Sequence, residues 1–312
     1  MGFQHESAML QEAVTHLGCR PGGIYVDGTL GGAGHARLIC RQIMPTGTLI
    51  GIDRDSDAIA NARHVLKSCQ PRLHLFHGNF ADLPDFLVQL DIDAVDGILL
   101  DLGLSQHQLD ASGRGFSFNR DEPLDMRMDI RMKTSAQDLI NQLDEEALIR
   151  IFKDYGEERW SKHIARAVVK ARSSHPIRTT RQLVELVLSA VPRGAAAQQK
   201  IHPATRVFMA LRIAVNRELE NLRNFLTGAL DLLVPGGRLC ILSFHSLEDR
   251  MVKHQFKAWA TACSCPPDLP RCICQGQARV RLINKKVMRP TQQEAARNPM
   301  ARSTRLRAVE KL

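Results

Sequence analysis

The chain has 312 residues, 44% of them hydrophobic, and a formal net charge of +9. Such a length can bury one large core or two smaller ones, and no apolar run approaches the roughly 20 residues that a membrane span needs. The opening MGFQHESAML lacks a basic stretch followed by a long apolar one, so no secretory signal is expected and a cytoplasmic protein is.

The first predicted strand is Ile24–Asp27, an apolar run closed by an acid, and four glycines follow within Gly28–Gly34. An apolar run of this kind reads as a strand buried on both faces of a parallel sheet. The glycines let the backbone turn sharply and leave no Cβ to block a ligand before a helix begins near His35. The second strand, Thr48–Asp53, again ends in an acid, placed to hold ribose hydroxyls. Spacing excludes two cofactor motifs: Arg37 stands where a dinucleotide fingerprint needs its third glycine, and no Gly-Lys-Ser/Thr closes a P-loop. What remains, acid-Gly-x-x-Gly-Gly-x-Gly and then a second strand-end acid, resembles the S-adenosylmethionine site of class I methyltransferases. A glycine-rich turn that binds nothing is the bland alternative.

Further strands are expected at Arg72–His77 and Val95–Asp101, with a helix over Asp57–Leu66 between the second and third. This alternation predicts a doubly wound α/β sheet. Phe80, just after the third strand, falls where an adenine ring would be sandwiched, although a core role is equally open. Asp101 closes the fourth strand, facing methyl donor and acceptor in such folds, and Ser105 and Gln108 follow in the same loop. The next convincing strand, Arg238–Phe244, follows the turn Pro235-Gly236-Gly237. The gap before it is far too long for a plain loop.

That gap reads as an inserted, all-helical domain over residues 113–203, dividing a discontinuous methyltransferase domain made of 1–112 and 204–312. Ser135-x-x-Asp138 resembles a capping box for Ala136–Gln142. Glu145–Lys153, Ser161–Arg172 and Arg181–Val191, capped by Thr180, follow as helices. Pro203 opens one long helix that returns to the sheet through Phe208, Leu211, Val215, Leu219 and Leu222. The insert is the expected substrate-reading surface.

Charge concentrates at the end of the chain, where Gln275–Leu312 carries ten Lys or Arg against two acids. A basic segment suggests a polyanion, most simply nucleic acid, against the alternative of a solvated face. Alternating runs at Val280–Asn284 and Leu306–Ala308 predict strands that present the basic side chains on one surface. Just before them, Cys263, Cys265, Cys272 and Cys274 could converge on a zinc ion across a proline-rich turn, or form a reduced loop. Cys19, Cys40, Cys69 and Cys240 are expected to be separate, reduced small hydrophobes.

Longer blocks carry a closer resemblance. Asp27-Gly-Thr-Leu-Gly-Gly-Ala-Gly-His35, Asp53-Arg-Asp55, Asp96-Gly-Ile-Leu-Leu-Asp101, Arg114-Gly-Phe-Ser-Phe118 and Pro123-Leu-Asp-Met-Arg-Met-Asp129 are similar to one family. So are Tyr155-Gly-Glu-Glu158, His202-Pro-Ala-Thr-Arg206, Ser243-Phe-His-Ser-Leu-Glu-Asp-Arg250 and Asn298-Pro-x-Ala-Arg-Ser303. Together they resemble the bacterial ribosomal RNA small subunit methyltransferase H, or MraW, family almost from end to end. The resemblance implies N4-methylation of a decoding-centre cytidine in 16S ribosomal RNA, naked or in the small ribosomal subunit, with S-adenosylmethionine as donor. It also implies cofactor contacts at Ala33, Gly34, His35, Asp53, Phe80, Asp101 and Gln108. Three positions depart from the pattern: Ala33 where glycine is frequent, Ala36 where serine is, and Gln106-His107 where Ser-Pro usually precedes Gln108.

The chemistry is an in-line displacement at a sulfonium methyl, which needs no metal and no covalent intermediate. Its obstacle is the cytosine amine, whose lone pair is delocalised into the ring. An oriented acceptor for an N4–H hydrogen bond favours the nucleophilic, pyramidal nitrogen. Asp101 is the first candidate for that acceptor and Ser105 the second. The target base must be splayed out of the RNA. Competing readings are a DNA amino-methyltransferase, whose Ser/Asp-Pro-Pro-aromatic motif is replaced here by Asp101-Leu-Gly-Leu, and a non-enzymatic RNA-binding protein.

Overall fold

The computed structural model describes residues 7–69, 71–192, 194, 201–262 and 276–312. The chain forms two compact units, Met1–Leu104 with Leu219–Leu312, and Ser105–Glu218. The helical unit therefore begins earlier and ends later than the sequence reading of 113–203. The added helix, Ala204–Asn216, packs on Ile151–Tyr155 and on the helices Ala136–Gln142 and Thr180–Ala190. Its apolar face is buried there through Val207, Phe208 and Leu211.

Among the described residues, the first unit is built on seven strands: β1 Ile24–Asp27, β2 Thr48–Asp53, β3 Arg72–His77, β4 Val95–Asp101, β5 Leu233–Ser243, β6 Val280–Leu282 and β7 Arg305–Lys311. Their order is β3-β2-β1-β4-β5-β7-β6. Strands β1 to β5 pair in parallel, and β7 runs antiparallel to both β5 and β6. This is the doubly wound, Rossmann-like sheet. The first four strands coincide with the predicted runs. The fifth begins before the Pro235-Gly236-Gly237 turn, with a register irregularity opposite Val95/Gly97.

Alternate residues of each central strand feed two cores. Val26, Ile50, Ile98, Leu100 and Ile241 enter one, and Tyr25, Leu49, Leu99, Cys240 and Leu242 enter the other. Burial on both faces is why these strands read as unbroken apolar runs rather than alternating ones. β1 lies between β2 and β4, so the winding reverses there. A crevice outside the carboxyl ends of the strands at such a reversal is where doubly wound sheets bind ligands.

Cys40 and Cys69 correct the reading of four separate thiols. They are joined by a disulfide with Cα atoms 6.1 Å apart, within the usual range for such a bond. Cys19 and Cys240 are free, and burial pushes the Cys19 thiol up to about 12. Cys263, Cys265, Cys272 and Cys274 lie outside the described residues.

In the helical unit the Ser135/Asp138 capping box opens Ala136–Gln142 as expected. The next helix is α only over Glu145–Arg150 and then widens to a π turn, Ile151–Tyr155. Thr179, not Thr180, caps Thr180–Ala190: its side chain accepts the Gln182 amide. Thr180 is instead tied to the preceding loop, its hydroxyl donating to the Arg120 carbonyl at 2.7 Å. The single long helix expected after Pro203 is two helices, Ala204–Asn216 and Glu218–Gly228, broken by Arg217 in the left-handed region at φ 50°. Asn216, fully buried, donates to the Met126 carbonyl and accepts the Met128 amide, both at 2.8 Å. That bond pair fixes the Pro123–Asp129 loop. Among the described residues, no helix is long and apolar enough to cross a membrane.

Candidate active site

Three carboxylates end three adjacent strands: Asp27 on β1, Asp53 on β2 and Asp101 on β4. Parallel register sets Asp27 beside Gly51 of β2 and Leu99 of β4, so the acids gather around one end of the sheet. Asp53 braces the glycine loop. Its Oδ2 accepts the Gly31 amide and its Oδ1 the Asp55 amide, each at 2.8 Å. The Asp101 amide donates to the Thr29 hydroxyl at 2.6 Å, which fastens the end of β4 to the turn after β1. Asp27 accepts the Thr29 amide through Oδ1, while its Oδ2 is buried with no hydrogen-bond partner.

Burial decides the titration of this cluster. Desolvation raises Asp101 to about 7 and Asp53 to about 6. Asp27, wholly buried, is held well above the usual carboxylate range by desolvation, and repulsion from Asp101 and Asp53 adds to the shift. Three acids so placed, one with an orphaned oxygen, suit a cationic ligand that also offers hydroxyl donors. S-adenosylmethionine has both, in its sulfonium and ammonium groups and its ribose. The residues present therefore fit that group.

The turn itself leaves little freedom. A Cβ at Gly28 would collide with the Leu100 side chain, and one at Gly34 with the Ser7 hydroxyl. Ala33 is fully buried and left-handed at φ 61°, a conformation that strains any residue with a Cβ. Ala33→Gly is expected to stabilise the protein by about 0.5–1 kcal/mol, because relief of that strain exceeds the entropy glycine adds to the unfolded chain. Denaturant melts of the two proteins check this, and an unchanged or lower midpoint contradicts it. Gly34 opens the helix Gly34–Ile43. His35 is buried in its first turn, with Nε2 3.2 Å from the Ala8 carbonyl and Nδ1 3.7 Å from Asp101 Oδ2.

The structure thus brings together Ala33, Gly34, His35, Asp53 and Asp101, all in the sheet unit. Phe80 lies in the same unit against Gly28 of the turn; it is 8% exposed, and its ring meets Phe225 edge to face at 5.6 Å. Ser105 and Gln108 belong to the helical unit. They form a capping box, the Gln108 amide donating to Ser105 Oγ at 3.2 Å and the Ser105 amide to Gln108 Oε1 at 3.0 Å. Two contributors escaped the residue-by-residue reading. The Thr29 hydroxyl is unremarked by any motif spacing, and Ser7 reaches the loop only through the fold. Asp27 carried a signal, as the acid that ends β1.

The basic segment is less uniform than its composition. Arg281 and Arg238 bracket Glu310 at 2.6 and 3.0 Å, and Arg307 and Arg305 reach Asp249 at 2.7 and 3.4 Å. Arg279 pairs with Asp231 at 3.2 Å, and Lys311 caps the Leu233 carbonyl at 2.6 Å. The expectation of one basic surface therefore narrows. Lys285, Lys286, Arg289 and Arg302 remain exposed.

A Rossmann-like sheet with strand-end acids around a glycine-rich turn defines a class I, S-adenosylmethionine-dependent methyltransferase. The sequence matches the model of the MraW methylase family over residues 2–312, and the chain belongs to that family. A ribosomal RNA small subunit methyltransferase H of Desulfosudis oleivorans is 55% identical over 312 residues, covering 100% of both chains. Proteins of the same name from Desulforapulum autotrophicum and Geobacter sulfurreducens are 54% and 52% identical, covering 99% and 100% of both chains respectively. The solved structure of an rRNA methylase from Streptococcus thermophilus is a looser likeness, 9% identical with a TM-score of 0.44 over 98% of each chain.

Proposed function

We propose that the protein methylates the exocyclic N4 of a decoding-centre cytidine in 16S ribosomal RNA. The names of its relatives support ribosomal RNA of the small subunit as substrate. The observation that carries the amine chemistry is Asp101, a half-buried carboxyl at the end of β4, 3.7 Å from His35 Nδ1, whose affinity for protons is raised to about 7.

When bound, S-adenosylmethionine supplies an electrophilic methyl group on a cationic sulfur. Asp53, already fixed by two backbone amides, keeps further lone pairs for ribose hydroxyls. Asp27, at the end of β1, would take the ammonium end. The Ala33–His35 backbone at the start of Gly34–Ile43 offers the partial positive charge of a helix terminus to the carboxylate. Asp101, as carboxylate, accepts an N4–H of the target base and aligns the nitrogen. Asp101 would also take the N4 proton released as the base is methylated. Ser105 Oγ is engaged in its capping box, which leaves Asp101 the stronger candidate.

The inserted helical unit is the part assigned to reading the RNA, together with the exposed basic positions of the carboxy-terminal segment. If Lys285 and Lys286 contact phosphates, neutralising both flattens the log–log dependence of RNA affinity on salt by up to about 1.8. A slope equal to that of the unaltered protein makes them a solvated face. The reaction itself is tested by mass mapping of methylated nucleosides in 16S RNA from cells with and without the gene. N4-methylcytidine that persists without the gene overturns the proposal.

A further inference from the structure

Residues Ser7–Met9 cross the glycine loop and are held there from both sides. On the loop side, Ser7 packs so closely on Gly34 that no Cβ fits between them, and the Ala8 carbonyl lies 3.2 Å from His35 Nε2. On the other side, the Met9 amide donates to Glu294 Oε1 at 2.6 Å. Ser7, Ala8 and Met9 are all buried, and Met9 is left-handed at φ 49°. A residue with a Cβ keeps that conformation only where its surroundings enforce it. Here the enforcing contact comes from a residue far along the chain.

Glu294 is itself well placed to hold. It lies in the helix Gln292–Arg297, its amide donating to the Thr291 hydroxyl at 3.1 Å. The segment before that helix is pinned to β7 by paired backbone bonds between Met288 and Leu306 and by the Asn284 side chain, which accepts the Ala308 amide at 2.7 Å. A continuous set of contacts therefore runs from the carboxy-terminal segment through Met9 and Ala8 to His35, whose Nδ1 faces Asp101 at 3.7 Å.

We propose that Glu294 is a positioning residue for the methyl-donor site, latching Ser7–Met9 onto the glycine loop so that His35 and the Gly34 amide are held ready for the cofactor. The proposal rests on that loop holding the methyl donor. Without the latch, the strap must be ordered each time the cofactor binds, and the ordering free energy is subtracted from affinity.

The test is calorimetry of S-adenosylhomocysteine with the full chain carrying Glu294→Ala, Glu294→Asp or Glu294→Gln. Alanine, and aspartate by its shorter reach, are expected to weaken binding on the order of five- to tenfold, the scale of one net hydrogen bond. Glutamine keeps an acceptor oxygen and is expected to stay within about twofold of the unaltered protein. Hydrogen exchange without ligand adds a readout that a loss of overall stability would not reproduce: the Met9, Gly34 and His35 amides speed up while those of β1 and β4 do not. Should the alanine variant fail to fold, the aspartate and glutamine pair carries the comparison. Equal affinity in folded aspartate and unaltered proteins overturns the latch. Absence of binding by the unaltered protein overturns the site reading instead.

Discussion

Asp101→Asn is expected to abolish methyl transfer, by on the order of 10²- to 10³-fold or more, while making the ligand-free protein more stable at neutral pH. On the role proposed for Asp101, the loss follows from replacing the carboxylate assigned to the N4–H with a neutral amide, at a position where fixed charge counts most. The gain follows from linkage. In the folded chain Asp101 titrates at about 7 rather than its ordinary 3.8, because burial disfavours its charge. The folded state therefore binds the extra proton between about pH 4 and pH 7, and stability falls as pH rises through that window. Asparagine removes this titration yet keeps an oxygen for the Gly103 amide, which donates to Asp101 Oδ1. Thermal melts should show the variant level with the unaltered protein near pH 4 and above it at pH 7.5. The same carboxyl gives kcat/KM an acid limb with an apparent midpoint near 7, lowered where a cationic cofactor is already bound. Retained methylation, or a variant less stable at pH 7.5, contradicts the assignment.

Asp53→Ala is expected to remove cofactor binding almost entirely under ordinary assay conditions, a loss on the order of 10- to 100-fold in affinity. Two effects combine. On the proposed site the ribose would lose a charged acceptor, and the Gly31 and Asp55 amides lose the oxygens that hold the loop in place at 2.8 Å each. Asp53→Asn should fall between, since one acceptor oxygen survives. The pH dependence has a definite sign: with Asp53 titrating at about 6 before ligand arrives, affinity for S-adenosylhomocysteine rises as pH climbs through 6 and then levels. Below that point binding releases a proton, which calorimetry in buffers of different ionisation enthalpy detects. An affinity independent of pH between 5 and 8 in the unaltered protein removes Asp53 from the binding equilibrium.

These two carboxylates were legible in the sequence because they close apolar runs, and a residue that ends a buried parallel strand has few places to go. β1 to β4 were legible for the same reason, their two buried faces leaving no polar alternation to confuse the pattern. Helix boundaries in the insert were less so. A threonine pair at 179–180 offers two caps, and only the loop at Arg120–Glu122 decides that Thr180 is used elsewhere. The break at Arg217 carries no glycine or proline to announce it. Next to it, the Asn216 side chain turns into the Pro123–Asp129 loop and satisfies backbone groups a long way off in sequence.

Sequence alone thus determined the sheet, the glycine turn, its flanking acids and the family, since each rests on local pattern: strand period, turn chemistry and contiguous motif. Tertiary structure decided everything that depends on burial or on distant partners. It raised the proton affinities of Asp27, Asp53 and Asp101 by taking them out of water, and it placed Phe80 in the core against Phe225. It moved Ala204–Asn216 into the helical unit and paired much of the terminal basic charge with Asp231, Asp249 and Glu310. It also laid Ser7–Met9 across the loop under the hold of Glu294. Charge and hydrogen-bond acceptors act through space with a strength set by their surroundings, and those surroundings come into being only when the chain has folded.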